Sequence, residues 1–295
     1  MYGLKKRLEK KVRKMIQLAN KRVLVTGGHG FLGRHVVKQL SARGARPYAF
    51  HTSEYDLSQD MQAVWLFDRC NPDYVIHCAG YNGGIEFNRL YPADIFDKNT
   101  RMGLNLHRNC DAFGVEKVIS VITSCAYPDG ADVLEEDTLW DGQPNPTVRA
   151  HGIAKRTLQT GAEAYHKQYG LNAATVGITN LYGPHDTFDL TRTKVVGAII
   201  RKVVTAKLDG LPFIECWGTG APRREFMYVE DAAEALIQAL ELYEDNSQPL
   251  NIGCNEETSI KELVDVIVNV VQYEGEVRWL VEKGDGQMRK LLDTS

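Results

Sequence analysis

The stretch that most constrains this chain is Val23-Leu-Val-Thr-Gly-Gly-His-Gly-Phe-Leu-Gly33. Its opening run of Val and Leu reads as a short buried strand, after which Gly27, Gly30 and Gly33 recur at three-residue spacing. The apolar residues then change to helical period at Phe31, Leu32, Val36, Val37 and Leu40. A strand, a glycine turn and a helix N-terminus in that order form an anion site. Bare backbone admits a pyrophosphate, and unpaired N–H groups with the helix dipole favour its charge. Any tight strand-to-helix turn also uses glycine, so the competing reading is a structural turn. The βαβ context that the stretch opens favours a dinucleotide.

The second strand is expected at Pro47 to Phe50. The segment after it, Phe50-His-Thr-Ser-Glu-Tyr-Asp-Leu57, falls where a nucleotide fold meets the adenosine ribose. An acid there suits NAD, and its absence together with a basic group suits NADP. Neither Asp nor Arg ends this strand, so NADP is favoured and NAD remains possible. His51, Thr52 and Ser53 are candidate phosphate partners, and Asp56 is placed nearer the adenine. Further on, Asp73-Tyr-Val-Ile-His-Cys-Ala-Gly80 reads as a strand ending in small residues that admit a cofactor. A helical pattern runs through Phe96, Met102, Leu104 and Leu106, and Lys117 to Ile122 is a buried strand leading into Thr123-Ser-Cys-Ala-Tyr-Pro128. Residues 152–169 read as a helix and Leu171 to Ile178 as another strand.

Such alternation implies an α/β fold with a Rossmann-type doubly wound parallel sheet. Ligands then sit at the carboxyl ends of strands, which singles out Thr123-Ser-Cys125 and Thr179-Asn180. From about residue 185 the alternation becomes irregular. The expected organisation is a dinucleotide-binding domain over 21–184 and a smaller substrate lobe over 185–295, some of whose segments return to the first domain.

Residues 1–20 stand apart, with seven cations against the single Glu9 and with Leu4, Leu8, Val12, Met15 and Ile16 at helical spacing. This basic amphipathic extension suits an anionic membrane surface or a partner, or it packs on the body by its apolar stripe. The net charge of −3 argues against nucleic acid as a partner. Six Cys without CxxC pairs or zinc spacing, and no secretory or membrane-length apolar run, point to a reducing cytoplasm and to no metal site.

Gly27-x-x-Gly30-x-x-Gly33, Asp56-Leu57, His77-Cys-Ala-Gly80, Asn99, Thr123 and Ala154-Lys155 together resemble the extended short-chain dehydrogenase/reductases, the NAD-dependent epimerase/dehydratase family. The resemblance covers roughly residues 21–295. Within the family, the GDP-L-fucose synthase branch is the most similar, with GDP-mannose 3,5-epimerase a near relative. Its marks are Asn82-Gly-Gly-Ile85, Ser124-Cys-Ala-Tyr-Pro128, Asn180-Leu-Tyr-Gly-Pro-His-Asp186, Trp217-Gly-Thr-Gly-x-Pro-x-Arg-Glu-Phe226 and Asp285-Gly-Gln287. The resemblance implies cofactor contacts at Gly27, Gly30, Phe31, Leu32, Gly33, Leu57, Ala79, Gly80 and Asn99. It also implies a homodimer in which the helices near 95–112 and 152–169 pair with a partner's copies. Relatives continue past the position of Ser295 into closing helices.

For catalysis the resemblance implies a Ser/Thr, a Tyr and a Lys, the last two in a Tyr-x-x-x-Lys arrangement. The Tyr exchanges a proton with the sugar oxygen while hydride moves between nicotinamide and carbon. The Lys lowers the Tyr pKa and holds the nicotinamide ribose. Thr123 and Lys155 match, but the Tyr position reads His151. Imidazole can donate a proton, and a Lys155 ammonium would keep the ring neutral with one N–H. His is shorter than Tyr, which leaves three readings: an impaired or repurposed hydride step, an introduced substitution, or a working His acid.

The branch also moves protons at carbons 3 and 5 beside a 4-ketone, using a Cys and a His. Cys125 matches the Cys, and the His position falls on Lys194, the pairing found in the 3,5-epimerase relative. A desolvated Lys can titrate near neutral pH, so a Cys/Lys pair is chemically sound. The competing readings are a buried small hydrophobe for Cys125 and a solvated helix-start lysine for Lys194. At the nucleotide end Trp217 is expected on a guanine or ribose, Arg224 and Lys202 on the diphosphate, and Asn180 against substrate, while His185 is structural. The competing reading for Trp217 is a core aromatic.

The function expected is therefore 3,5-epimerisation and NAD(P)H-dependent 4-reduction of a GDP-linked 4-keto-6-deoxyhexose. The alternatives are an NAD-dependent GDP-hexose 3,5-epimerase and a catalytically silent protein that keeps the cofactor site. A 4,6-dehydratase fits less well, because Ser124 and Cys125 stand where dehydratases of the family usually carry an acidic pair.

Overall fold

The structure, a computed structural model, describes residues 16–189 and 191–295. The basic extension lies outside the described residues up to Met15. In chain order the elements are β1 (Arg22–Thr26), α1 (Phe31–Ala42), β2 (Arg46–Tyr48), α2 (Asp60–Cys70), β3 (Tyr74–His77), α3 (Ile85–Leu90), α4 (Pro92–Ala112), β4 (Lys117–Thr123), α5 (Arg149–Tyr169) and β5 (Ala173–Ile178). There follow β6 (Asn180–Tyr182), α6 (Val195–Leu208), β7 (Phe213–Trp217), β8 (Arg223–Tyr228), α7 (Val229–Leu242), β9 (Leu250–Ile252), β10 (Glu257–Ser259), α8 (Ile260–Val271), β11 (Glu276–Leu280) and β12 (Arg289–Lys290).

Six strands form a parallel sheet in the order β2-β1-β3-β4-β5-β9. Both faces are covered, which is why β1, β3 and β5 are apolar or small almost throughout instead of alternating. On one face Val36 and Leu40 of α1 meet Leu236, Ile237 and Leu240 of α7 over Val23 and Val25. On the other, Phe67 of α2, Met102 and Leu106 of α4 and Leu158 of α5 pack over Leu24 and Val118. Each fully buried Val, Leu or Phe contributes about 1.5–3 kcal/mol. Chain order reverses between β1 and β3, since β2 lies on one side of β1 and β3 on the other. Such a switch point opens a crevice at the carboxyl ends of the strands.

The expected segments differ from the structure in instructive places. Strand two ends at Tyr48, its last residue paired with β1, and Phe50 instead turns edge-on to Tyr55 at 5.2 Å in the following loop. Helix α5 begins at Arg149, earlier than 152, and ends at Gly170, whose φ of 77° closes it. Leu171 is then spent on that closure, its carbonyl meeting His166 Nδ1 at 3.1 Å, and β5 starts only at Ala173. Phe96 and Leu104 do lie on α4, but 44% and 57% exposed, so they face away from the core.

A second set of elements stands beyond the sheet. Strand β8 pairs with β6, β10 and β12, while β7 and β11 form a parallel pair. Ile199 and Val203 of α6 pack with Val264 and Ile267 of α8 over Ile214 and Cys216 of β7. Glu225 of β8 is buried and accepts from the backbone N–H groups of Cys254, Asn255 (2.8 Å) and Leu292 (3.4 Å). One carboxylate thus ties β8 to the turn after β9 and to the chain leaving β12. That last tie brings the end of the chain back to the carboxyl edge of the main sheet.

Candidate active site

The glycine turn forms where it was expected. Gly27 has φ of 69°, which favours glycine, and a Cβ there would stand 2.9 Å from the Ala79 backbone after β3. At Gly33 a Cβ would fall 2.2 Å from the Gly27 carbonyl, so helix and loop touch through bare backbone. At Gly30, which caps α1, a Cβ would meet only the Gly27 oxygen, at 3.0 Å. No side chain caps α1, which leaves its first N–H groups for an anion. These features fit a pyrophosphate. Phe31 and Leu32 are half-buried in the first turn, and the Leu57 carbonyl accepts from Asn105 at 2.9 Å.

At the adenosine end the rings of His29 and His51 stack at 3.9 Å, 5° from parallel. The Arg34 guanidinium donates to the carbonyls of His29 (2.8 Å) and Gly30 (3.3 Å), bringing a cation to this edge. His29 and Arg34 were not foreseen, although the first stands inside the glycine stretch and the second directly follows it. Thr52 and Ser53 are exposed. Asp56 Oδ1 accepts from the Ser58 N–H (2.9 Å) and hydroxyl (2.8 Å) and shapes the entry to α2. Glu54, the nearest acid, has an oxygen occupied by the His51 N–H at 2.9 Å.

Deeper in the crevice, a Cβ on Gly80 would lie 3.6 Å from Asn99 Oδ1 and 3.8 Å from Lys155 Nζ, so these three meet at one point. Asn99 fixes the loop after β3, accepting from the Tyr81 N–H (3.0 Å) and donating to the Tyr81 carbonyl (2.9 Å). Lys155 donates to the Val121 carbonyl at 2.9 Å, and burial pulls its ammonium down to about 8. Burial, reinforced by the charges of Lys155, Lys194 and Lys290, holds the His151 ring well below the usual histidine value. His151 is therefore neutral at pH 7.

Thr123 ends β4, and its hydroxyl accepts from the Cys125 N–H at 3.3 Å at the start of the turn Ser124–Ala126. That turn presents Cys125. Lys290 Nζ lies 3.2 Å from its Sγ. Burial raises the thiol, but the Lys290 charge and hydrogen bond, the Thr123 bond and the Lys194 charge together bring it below its ordinary value. Lys194 caps α6 and is exposed, and it acts on Cys125, His151 and Lys155 through its charge. The direct partner of Cys125 is therefore Lys290 on β12, which sequence reasoning missed.

The expected nucleotide residues line the second set of elements. Trp217, at the end of β7, is 64% exposed, which rules out a core aromatic. Lys202 donates to the Glu215 carbonyl, Arg224 donates to its neighbour Arg223 (2.7 Å), and Asn180 donates to the Glu225 carbonyl at 3.1 Å. Burial lowers the Arg224 guanidinium, while the charge of Cys125 opposes that shift. Asp285 accepts from the Thr219 N–H (2.8 Å) and hydroxyl (2.7 Å), closing the loop after Trp217. His185 has φ of 72° and its ring lies 5.7 Å from that of His35. No group of His, Cys, Asp and Glu suited to a metal occurs among the described residues.

A family model for the NAD dependent epimerase/dehydratase family matches residues 23–253. The chain belongs to that family. GDP-L-fucose synthase 1 of Arabidopsis thaliana is 34% identical over 276 residues, covering 93% of this chain and 85% of the relative. A GDP-6-OMe-4-keto-L-xylo-heptose reductase from C. jejuni superposes with a TM-score of 0.88 at 27% identity, covering 95% of this chain and 92% of that one. A GDP-L-fucose synthetase from Naegleria fowleri bound to NADP gives 0.86 at 27% identity, covering 95% and 88%. These likenesses agree with the doubly wound sheet and with the dinucleotide reading of the glycine turn.

Proposed function

We propose that this chain is an NADP-dependent epimerase and reductase of a GDP-linked 4-keto-6-deoxyhexose. Family membership, a relative named GDP-L-fucose synthase and a neighbour named as a GDP-4-keto-sugar reductase support the class. The observation that carries the reading is Cys125 at 3.2 Å from Lys290, with its thiol lowered in spite of burial. A thiolate at the carboxyl end of β4 suits proton abstraction beside a carbonyl.

The 4-ketone acidifies the C–H bonds at carbons 3 and 5. Cys125 removes the proton from one face of the ring, Lys194 delivers a proton to the other so that the configuration inverts, and Lys290 favours the thiolate. Thr123 and His151 hold the oxygen at carbon 4, and Lys155 holds the nicotinamide ribose. When bound, the cofactor supplies the hydride for carbon 4. Trp217 stacks on the base or ribose, and Arg224 and Lys202 meet the diphosphate. The absence of a carboxylate at the end of β2, with Arg34 and the His29–His51 pair at that edge, supports NADP over NAD.

His151 in the Tyr position favours a second reading, a 3,5-epimerase whose reduction step is impaired. One experiment separates them. With GDP-4-keto-6-deoxymannose and NADPH in heavy water, the proposed enzyme incorporates deuterium at carbons 3 and 5 and oxidises cofactor. Exchange without oxidation leaves the epimerase alone. Neither signal, in a protein that still binds both ligands, makes it a silent binding protein.

A further inference from the structure

His151 is 5% exposed, and its Nδ1 lies 3.2 Å from Asn82 Nδ2. Which imidazole nitrogen carries the proton depends on how the Asn82 amide is turned, and that follows from a chain of contacts ending on main-chain carbonyls. Asn88, buried on α3 just after the loop that carries Asn82, directs its Nδ2 at the carbonyls of Gly83 (3.2 Å) and Gly84 (3.0 Å). A backbone carbonyl only accepts, so this end of Asn88 is its NH2 group. The same NH2 lies 2.9 Å from Asn82 and can meet only an acceptor, so that atom is Asn82 Oδ1. The opposite end of the Asn82 amide, the end facing His151, is then its own NH2. Nδ1 must accept. The proton of the neutral ring sits on Nε2, which has no hydrogen-bond partner among the described residues.

We propose that Asn82 is a positioning residue that locks His151 as its Nε2–H tautomer, with Nε2–H presented to the sugar oxygen at carbon 4. This rests on the assignment of His151 to that oxygen. The consequence is a change in the kind of help the residue gives. A ring whose Nδ1 receives a hydrogen bond and which faces three lysines resists becoming an imidazolium. It acts as a neutral donor that polarises the carbonyl and holds the alkoxide formed there until water supplies the proton that completes the hydroxyl. The opposite tautomer would aim a lone pair at the same oxygen and repel it. Gly83 and Gly84 fix the loop that carries Asn82. A Cβ on Gly83 would come within 2.7 Å of the Phe87 side chain, and one on Gly84 within 2.7 Å of the Thr193 carbonyl.

The test is nitrogen NMR of the intact protein labelled with 15N-histidine, in which the His151 signals are identified by their loss in His151→Tyr. The expected spectrum at pH 7 to 8 shows a bare Nδ1 and a protonated Nε2. A protonated Nδ1 in the wild type overturns the proposal, and this measurement needs no other variant to fold. In Asn82→Asp a carboxylate replaces the NH2 group, and Nδ1 is expected to become protonated. An unchanged Nε2–H pattern in that variant, with NADP affinity showing that it is folded, overturns the role of Asn82. Failure of the functional assignment looks different: wild type keeps the Nε2–H signal, yet His151→Gln reduces the 4-keto sugar as fast as wild type does.

Discussion

Lys290 Nζ lies 3.2 Å from Cys125 Sγ, joining residues 165 positions apart in the chain. The contact exists because β12 runs parallel to β8 and Glu225 holds the chain leaving it. Lys290→Met removes the nearest cation while keeping length and bulk. Burial then dominates, and the Cys125 thiol rises. Each unit of that rise lowers the thiolate fraction at neutral pH about tenfold, so exchange at carbons 3 and 5 should fall by about 10- to 100-fold. The rate of Cys125 alkylation by iodoacetamide against pH measures this directly: its midpoint moves upward in Lys290→Met and moves back in Lys290→Arg. A midpoint that stays where it is in wild type refutes the pairing.

Lys155 sets the alkaline limit of the reduction. Burial brings its ammonium down to about 8, so it is charged below that pH and neutral above it. Contacts that need the ammonium are therefore present at pH 7 and lost as pH rises through about 8. The kcat/KM for reduction should fall on that side. It should show no acid limb near the ordinary histidine value, because His151 is already neutral there. A loss of reduction between pH 7 and 6 that tracks a single proton contradicts the neutral ring.

Gly30→Val tests the dinucleotide site with little harm to the fold. A Cβ there meets one atom, at 3.0 Å, whereas at Gly33 it would meet the loop at 2.2 Å. The branched side chain would occupy the approach of the pyrophosphate. NADP affinity measured by calorimetry should be lost while the thermal transition remains. Retained affinity moves the cofactor elsewhere.

Much of this arrangement was legible in the sequence because it is local. The strand, turn and helix from Val23 to Leu40 need only neighbouring residues, and the buried parallel strands announce themselves as apolar runs. Strand ends were less legible, since Phe50 and Leu171 are apolar but are used by a loop contact and a helix closure. At the site, Thr123, Cys125 and Lys155 follow from motifs, but Lys290 does not. It lies on a two-residue strand and reaches Cys125 only through pairing with β8 and the buried Glu225. Asn82 escaped for a similar reason, because its effect on His151 runs through Asn88 to two backbone carbonyls, which no spacing rule encodes. A partial signal existed for Arg34, a cation in the first turn of α1, but its link to the adenosine edge runs through the carbonyls of His29 and Gly30 and not through the segment after β2.

Two α4 residues bear on assembly. Phe96 and Leu104 are eight positions apart, hence on one helical face, and both are exposed beside α5. A second copy of the chain covering α4 and α5 would bury them through an isologous contact. Sedimentation at micromolar concentration should give a dimer, and Leu104→Asp should shift it towards monomer. A monomer in the unaltered protein ends this proposal.

His151→Tyr is the most direct test of the reduction step. Thr123 and Lys155 keep their places on either side of the altered position, and Lys155 is the group that would lower a Tyr hydroxyl there. A phenol reaches further than imidazole, and on ionising it leaves a phenolate that the ammonium stabilises. Neutral imidazole gives up its last proton far less readily, so the histidine ring polarises the carbonyl but is a poor acid. If that difference limits the rate, His151→Tyr should accelerate hydride transfer, towards the 10²–10⁴-fold that general acid catalysis typically contributes. Stopped-flow oxidation of NADPH with GDP-4-keto-6-deoxymannose measures it, and deuterium exchange in parallel should change much less because it depends on Cys125 and Lys194. The larger ring must fit beside Asn82, so NADP affinity is measured to show that the crevice is intact. Unchanged or slower reduction in an intact His151→Tyr protein would mean that the neutral histidine is the evolved donor, and the impaired reading would fall.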